Sequence, residues 1–175
     1  MANLDIEAPG ADAAELEAAL RDLTSSFYVL AASAVAVSHT GTTTETVLAT
    51  IPIPAGAIGP NGVLRVTSQW SYTNSANNKT LKLRLGGISG SIFFDIQQTT
   101  TAVYVDMGRL IHNVNSEAAQ KSRGASVTGA GSTGTAHITR TVDTTVALDL
   151  VLTGQVANTG ETVTLESYVV ELLSA

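Results

Sequence analysis

Glycine, histidine and carboxylate residues are the ones through which this chain would do chemistry. The spacing Gly129-x-Gly131-x-x-Gly134 matches the fingerprint of dinucleotide-binding proteins. That fingerprint requires a helix directly after the glycines, because the helix N-terminus meets the pyrophosphate. Residues 135–139 are predicted to form a strand instead. We therefore interpret residues 124–134 as a loop and predict no nucleotide or other cofactor.

The three histidines, His39, His112 and His137, are widely separated, and none belongs to a ligand pair of i,i+2 or i,i+4 spacing. A metal site assembled from different strands stays open, but isolated core or surface histidines explain the pattern better. The chain has no cysteine, which excludes disulfides, a thiol nucleophile and thiolate zinc sites. No metal is predicted.

Carboxylates at mid-strand positions are the next candidates for catalysis. Asp95, Asp106 and Asp149 would have to face a common groove to cleave a glycosidic bond. We favour the alternative that they are solvent-facing residues that discourage sheet aggregation. A hydrolytic triad of Ser116 with a histidine and an acid such as Glu117, Asp143 or Asp149 has no G-x-S-x-G elbow to support it. The chain is predicted not to be an enzyme.

Composition restricts the possible partners. The chain has 9 basic and 15 acidic residues, a net charge of −6, without any Lys/Arg cluster, so a nucleic-acid partner is not expected. No apolar run approaches the roughly 20 residues that span a bilayer, and residues 1–12 do not resemble a signal peptide. We expect synthesis in a cytoplasm and no membrane insertion. Only 14% of residues are charged and 44% are hydrophobic, which favours burial of surface against other copies.

The elements that would position any site are organised around residues 56–87. A turn is predicted at residues 58–62, where Pro60 fixes φ and Gly59 and Gly62 supply positive φ. Leu64, Val66, Ser68, Trp70 and Tyr72 then alternate on one face of a strand, and Leu81, Leu83 and Leu85 resume the pattern after a polar stretch. The stretch predicts a complete β-hairpin with one apolar face.

The rest of the chain predicts further strands and one helix. Strands are expected at residues 46–53, 91–97, 102–107, 135–141, 146–156 and 163–173, and residues 110–123 are less regular. A capping box at Asp12 and Glu15 begins a short helix after a flexible arm. Its apolar residues, at spacings of four, three and four, are Leu16, Leu20, Leu23 and Phe27. This spacing suits either self-association or packing on the chain's own domain.

These elements predict a mainly β protein, an antiparallel jelly-roll-like β-sandwich preceded by a short N-terminal helix. Residues 1–28 would form an arm and helix for attachment and oligomerisation, and residues 29–175 the sandwich domain. Aromatic residues such as Trp70 and Tyr72 can stack on sugars or fill a core. Because both share a face with Leu64, we favour core or inter-subunit packing.

One segment resembles a recurring pattern of phage virion surface proteins, which form β-sandwich domains in capsid decoration proteins, head fibres and tail fibres. The resemblance covers about a sixth of the chain. Its matching residues are Gly62, Leu64, Arg65, Trp70, Tyr72, Thr73, Asn74, Ser75, Ala76, Asn77, Lys79, Leu81, Arg84, Gly86 and Gly87.

This resemblance implies a non-enzymatic virion protein, a trimeric capsid decoration or fibre component. Leu16, Leu20, Leu23 and Phe27 would then support a homotrimer, and Leu64, Trp70, Tyr72, Leu81 and Leu83 would build the core of the module. The N-terminal arm would contact other virion proteins. The alternative is a receptor- or glycan-binding tip module of a tail fibre, with a host surface glycan as partner.

Overall fold

The computed structural model describes residues 28–99, 104–123 and 137–173. The predicted arm and helix, with Leu16, Leu20, Leu23 and Phe27, lie outside these ranges, as does the glycine-rich loop at residues 124–134. No helix occurs in the part of the chain that is described, and every strand pairing there is antiparallel.

Eleven strands account for most of these residues. Their bounds are β1 (Tyr28–Ser33), β2 (Val37–His39), β3 (Thr46–Ile53), β4 (Val63–Tyr72), β5 (Lys79–Leu85), β6 (Ser91–Gln98), β7 (Tyr104–Asn113), β8 (Gln120–Ser122), β9 (Ile138–Arg140), β10 (Leu148–Val156) and β11 (Val163–Leu173). The bounds of β3, β4 and β11 coincide with alternating stretches of the sequence, because each of these strands buries one face.

The strands form two sheets. A seven-stranded sheet has the order β1-β11-β4-β7-β8-β9, with β2 also paired to β11, and a four-stranded sheet has the order β3-β10-β5-β6. Apolar side chains from both sheets join in one core that includes Leu64, Trp70, Leu83 and Leu152, all fully buried. The predicted mainly β, antiparallel fold is confirmed.

The predicted hairpin at residues 56–87 is wrong. β4 pairs with β11 and β7 in the larger sheet, whereas β5 pairs with β10 and β6 in the smaller one. Residues 73–78 therefore cross from one sheet to the other. Alternation shows that each strand has one apolar face, but two such strands can bury that face in opposite sheets as well as side by side.

The turn before β4 has the predicted location but a different role for one glycine. Gly59 has φ of 67°, as expected, whereas Gly62 does not have a positive φ. A Cβ at Gly62 would lie 1.6 Å from the carbonyl oxygen of Ile58, so the requirement there is steric. Glycine is needed at position 62 because the backbone passes too close for any side chain.

Candidate functional site

The crossing between β4 and β5 is held by a buried lysine. Lys79 is 0% exposed, and its Nζ donates to the Asn77 carbonyl at 2.6 Å, to Ser75 Oγ at 2.9 Å and to the Ser75 carbonyl at 3.3 Å. The ammonium also lies 5.8 Å from the centroid of the Tyr72 ring. A desolvated ammonium needs such acceptors, because an unpaired buried charge is very costly.

A carboxylate from a distant part of the chain completes this cluster. Glu161, in the connection between β10 and β11, is buried, and its Oε1 accepts from Ser75 Oγ and, at 3.1 Å, from Asn77 Nδ2. The Ser75 and Asn77 hydrogen bonds and the nearby Lys79 charge hold the pKa of Glu161 below its usual value. We name Ser75, Asn77, Lys79 and Glu161 the polar lock.

The polar lock has the residue types of a serine nucleophile with a lysine base, but its geometry is unsuitable for that role. Lys79 Nζ donates to three oxygen atoms inside the fold, and the Ser75 hydroxyl donates to Glu161 Oε1 and not to the lysine. The arrangement instead joins the crossing to the β10–β11 connection. The Thr73 amide donates to the Thr162 carbonyl at 3.0 Å beside it and strengthens the same junction.

Residues 62–87, which carry the resemblance to phage virion proteins, are called the virion-like segment. The structure places its apolar residues in the core. Leu64, Trp70, Leu81 and Leu83 are 0% exposed and Tyr72 is 6% exposed. Trp70 Nε1 donates to Ser68 Oγ at 2.8 Å, so the polar atom of the indole is satisfied inside the protein. Neither Trp70 nor Tyr72 presents a ring face on which a sugar could stack.

The other residues considered for chemistry are dispersed. His39 is buried and its Nε2 lies 2.9 Å from the Thr42 carbonyl, whereas Asp95, Asp106 and Asp149 are exposed. Among the described residues, no group of three or more histidines or carboxylates is placed to hold a metal ion. His112 and His137, far apart in sequence, line one recess.

An ion cluster that sequence reasoning missed lies on the smaller sheet. Glu45 Oε1 and Oε2 each accept from Arg84 at 2.8 Å, and Oε2 also accepts from Lys82 at 2.8 Å. Thr153 Oγ1 donates to Oε1 at 2.6 Å. The Arg84 hydrogen bonds, supported by Lys82 and Thr153, lower the pKa of Glu45 to about 2. Lys82 and Arg84 sharing one face of β5 was the available signal, but it does not identify their partner.

Two adjoining recesses open on the face of the larger sheet that points away from the core. One has a volume of about 440 Å³ and is lined by Leu110, His112, Val114, Lys121, Arg123 and His137. The other, of about 310 Å³, shares Leu110 and Arg123 and is also lined by Arg65, Thr67, Gly108 and Arg109. We name the two together the basic recess.

Neither a protein-family model nor a curated protein sequence matches the chain. The solved structures that match the chain are distant. One is the CBM2 module of the evolved Dit protein of Lactobacillus casei phage J-1, with a TM-score of 0.40 and 15% identity over 72% of this chain and 69% of that one.

Infectious bursal disease virus VP2 in its subviral particle gives a TM-score of 0.39 and 10% identity. The match covers 85% of this chain, which spans about a third (32%) of that one. The Gt strain of the same virus gives 0.39 and 13%, over 85% of this chain and 33% of that one. These scores identify no family for this chain. Among its described residues, no helix is long and apolar enough to cross a membrane.

Proposed function

We propose that this chain is a non-enzymatic structural protein of a phage virion, a homotrimeric capsid decoration or fibre component exposed on the particle surface. It is made in the host cytoplasm and then joins the particle. The N-terminal arm contacts other virion proteins, and the sandwich packs against its copies and faces solvent. Such a protein works by burying surface and not by turning over a substrate.

This proposal rests on the contacts that residues 62–87, the segment that resembles phage virion proteins, make inside the fold. Its polar residues Ser75, Asn77 and Lys79 are engaged with Glu161 inside the fold, and its apolar residues are in the core. The segment that resembles phage virion surface proteins therefore builds a scaffold in which two sheets are joined. Few of its side chains are left for recognition or catalysis.

We also propose that the sandwich is a jelly roll. Support comes from the eight strands that make up β1-β11-β4-β7 in one sheet and β3-β10-β5-β6 in the other. The last two strands of the chain pair with early ones, β11 with β1 and β10 with β3. In a Greek key, a later strand likewise returns through a long connection to lie beside the first.

Quantitative mass spectrometry of purified phage particles tests the proposal. The chain should be recovered in a fixed ratio to the major capsid or tail protein, and a wash in high salt should leave that ratio unchanged if attachment is mainly apolar. Absence from the particles, with the protein abundant in the lysate, would contradict a virion role.

The glycan-binding alternative lacks a specific supporting observation, because four of the five concentrated aromatic residues, Trp70, Tyr72, Phe93 and Phe94, are buried. A glycan array probed with the full chain distinguishes the two functions. Saturable binding to one glycan class would favour the tail-fibre tip module.

A further inference from the structure

The negative charge of this protein is concentrated at one end of the sequence. Residues 1–27 contain one arginine and six carboxylates: Asp5, Glu7, Asp12, Glu15, Glu17 and Asp22. Their net charge is −5, out of −6 for the whole chain. Residues 28–175 are therefore almost neutral, with 8 basic and 9 acidic residues. The N-terminal segment is a strongly acidic piece attached to a nearly neutral domain.

The basic recess has the opposite charge. Arg65, Lys121 and Arg123 present their charges to it, and no Asp or Glu lines it. Arg109 also lines it, but its guanidinium is buried and lies over the Phe94 ring on the core side of the sheet. Glu171 pairs with Arg65, and exposed Asp106 lies on the same sheet, so the local excess is about one positive charge.

Two of these cations are available to a partner. Lys121 and Arg123 are both exposed. The Lys121 side chain makes no hydrogen bond or ion pair within the described part of the chain, and Arg123 donates through Nη2 to the Gly108 carbonyl at 3.2 Å. Residues 124–136, which follow Arg123, contain no charged residue, so they supply no carboxylate to either side chain.

The recess also offers apolar surface. Leu110 is 45% exposed and Val114 is 40% exposed, side by side with the cations. Leu4 and Ile6 alternate with Asp5 and Glu7, so this part of the segment can cover apolar surface while its carboxylates meet the cations, and it does not include the apolar seam of Leu16, Leu20, Leu23 and Phe27. Sugars and nucleotides would not need this combination, and the lining contains no Phe, Tyr or Trp ring for them to stack on.

We propose that the acidic N-terminal segment, residues 1–27, docks in the basic recess. Residue 28 begins β1, three strands from β7 in the sheet order, or about 15 Å at the usual spacing of strands. A chain of 27 residues spans that distance easily, so the segment reaches the recess of its own copy or of a neighbour. The inference rests on charge and geometry and does not depend on the virion role.

Zero-length cross-linking of the full chain with a carbodiimide tests this docking. The reagent joins an amine to a carboxylate in contact with it, and the chain has only three lysines, Lys79, Lys82 and Lys121. The expected product links Lys121 to a carboxylate of residues 1–27. The Lys82–Glu45 pair, at 2.8 Å, is an internal control that must also cross-link.

Mixing copies with light and heavy isotopes shows whether the segment belongs to the same chain or to a neighbour, and either result supports the docking. In about 1 M salt the Lys121 product should fall several-fold, because the Debye length shrinks to about 3 Å. Formation of the Lys82–Glu45 product without any link from Lys121 to residues 1–27 would overturn the proposal.

A charge variant separates docking from chance proximity. Arg123→Gln keeps Lys121 as the reactive amine but removes the local excess of positive charge, so the yield of the Lys121 product should drop roughly threefold. Arg140→Gln is the matched control, since Arg140 donates to the Ile92 carbonyl outside the recess. An equal yield in both variants, with unchanged thermal unfolding, would overturn the proposal.

Discussion

At the scale of residues, the polar lock depends on one cation. Lys79→Met removes a charge to which three oxygen atoms are hydrogen-bonded, leaving these acceptors of Ser75 and Asn77 without their donor. We expect a loss of roughly 1–3 kcal/mol of unfolding free energy for each buried group left unsatisfied. Lys121→Met, at an exposed lysine, is the control and should change stability by less than about 0.5 kcal/mol.

Urea denaturation of the double variant Lys79→Met/Glu161→Gln tests whether the lock acts as a unit. The cost of the pair should be smaller than the sum of the single costs, because each single change disables the same network. Strict additivity would mean that the two residues act independently.

Trp70 is the only tryptophan and fills the core. Trp70→Ala should lower the free energy of unfolding by about 3–5 kcal/mol, since a cavity replaces a fully buried indole. Thr67→Ala, on the exposed face of the same strand, should cost less than about 0.5 kcal/mol. Native fluorescence should be blue-shifted and unchanged by saccharides, and quenching by a sugar would support the glycan-binding alternative.

Glu45 should make the free energy of unfolding depend on pH. Its pKa falls from a usual value of 4.5 to about 2 in the folded protein, so its contribution is complete above pH 4.5 and is lost as the pH falls towards 2. The difference corresponds to about 3 kcal/mol. Glu45→Gln should flatten the decline in urea midpoint between pH 5 and 2, whereas Asp149→Asn, an exposed carboxylate on β10, should retain it.

At the scale of elements, the contact between β10 and β11 leaves no room for a side chain at Gly154. A Cβ there would lie 2.7 Å from Val163 Cγ1 and 3.1 Å from Leu48 Cδ1. Gly154→Ala should therefore destabilise the protein by about 1–3 kcal/mol through overpacking. Gly108→Ala, where an added Cβ meets nothing within 4 Å, should leave the melting temperature unchanged or slightly higher. Equal effects in calorimetry would contradict this packing.

The strands were largely predictable from the sequence, and their partners were not. Alternation located β3, β4 and β11 because each has one buried face. It did not show that β4 and β5 lie in different sheets, since both arrangements bury the same side chains. β7 was also longer than predicted, because Arg109 is buried at a position where a strand pattern expects an apolar residue.

The polar lock was beyond sequence reasoning for a similar reason. The pattern around Ser75, Asn77 and Lys79 indicates a turn, but their partner Glu161 is more than 80 residues away. A lysine in an alternating strand is usually taken as solvent-facing. Only the three-dimensional crossing brings its acceptors together.

At the scale of the whole molecule, we propose that this chain acts by assembly and not by chemistry. The apolar seam of Leu16, Leu20, Leu23 and Phe27, which lies outside the described residues, is the sequence feature proposed to hold copies together. Leu20→Asp should shift the assembly towards monomer, because a charge buried in such a seam lacks solvation. Ala18→Asp, about half a helical turn from the seam, should leave the assembly intact.

Light scattering of the full chain over a wide dilution range tests this account most directly. It predicts a mass three times the 18.0 kDa of one chain, reduced by Leu20→Asp and not by Ala18→Asp. A mass of 18.0 kDa at every concentration would contradict it.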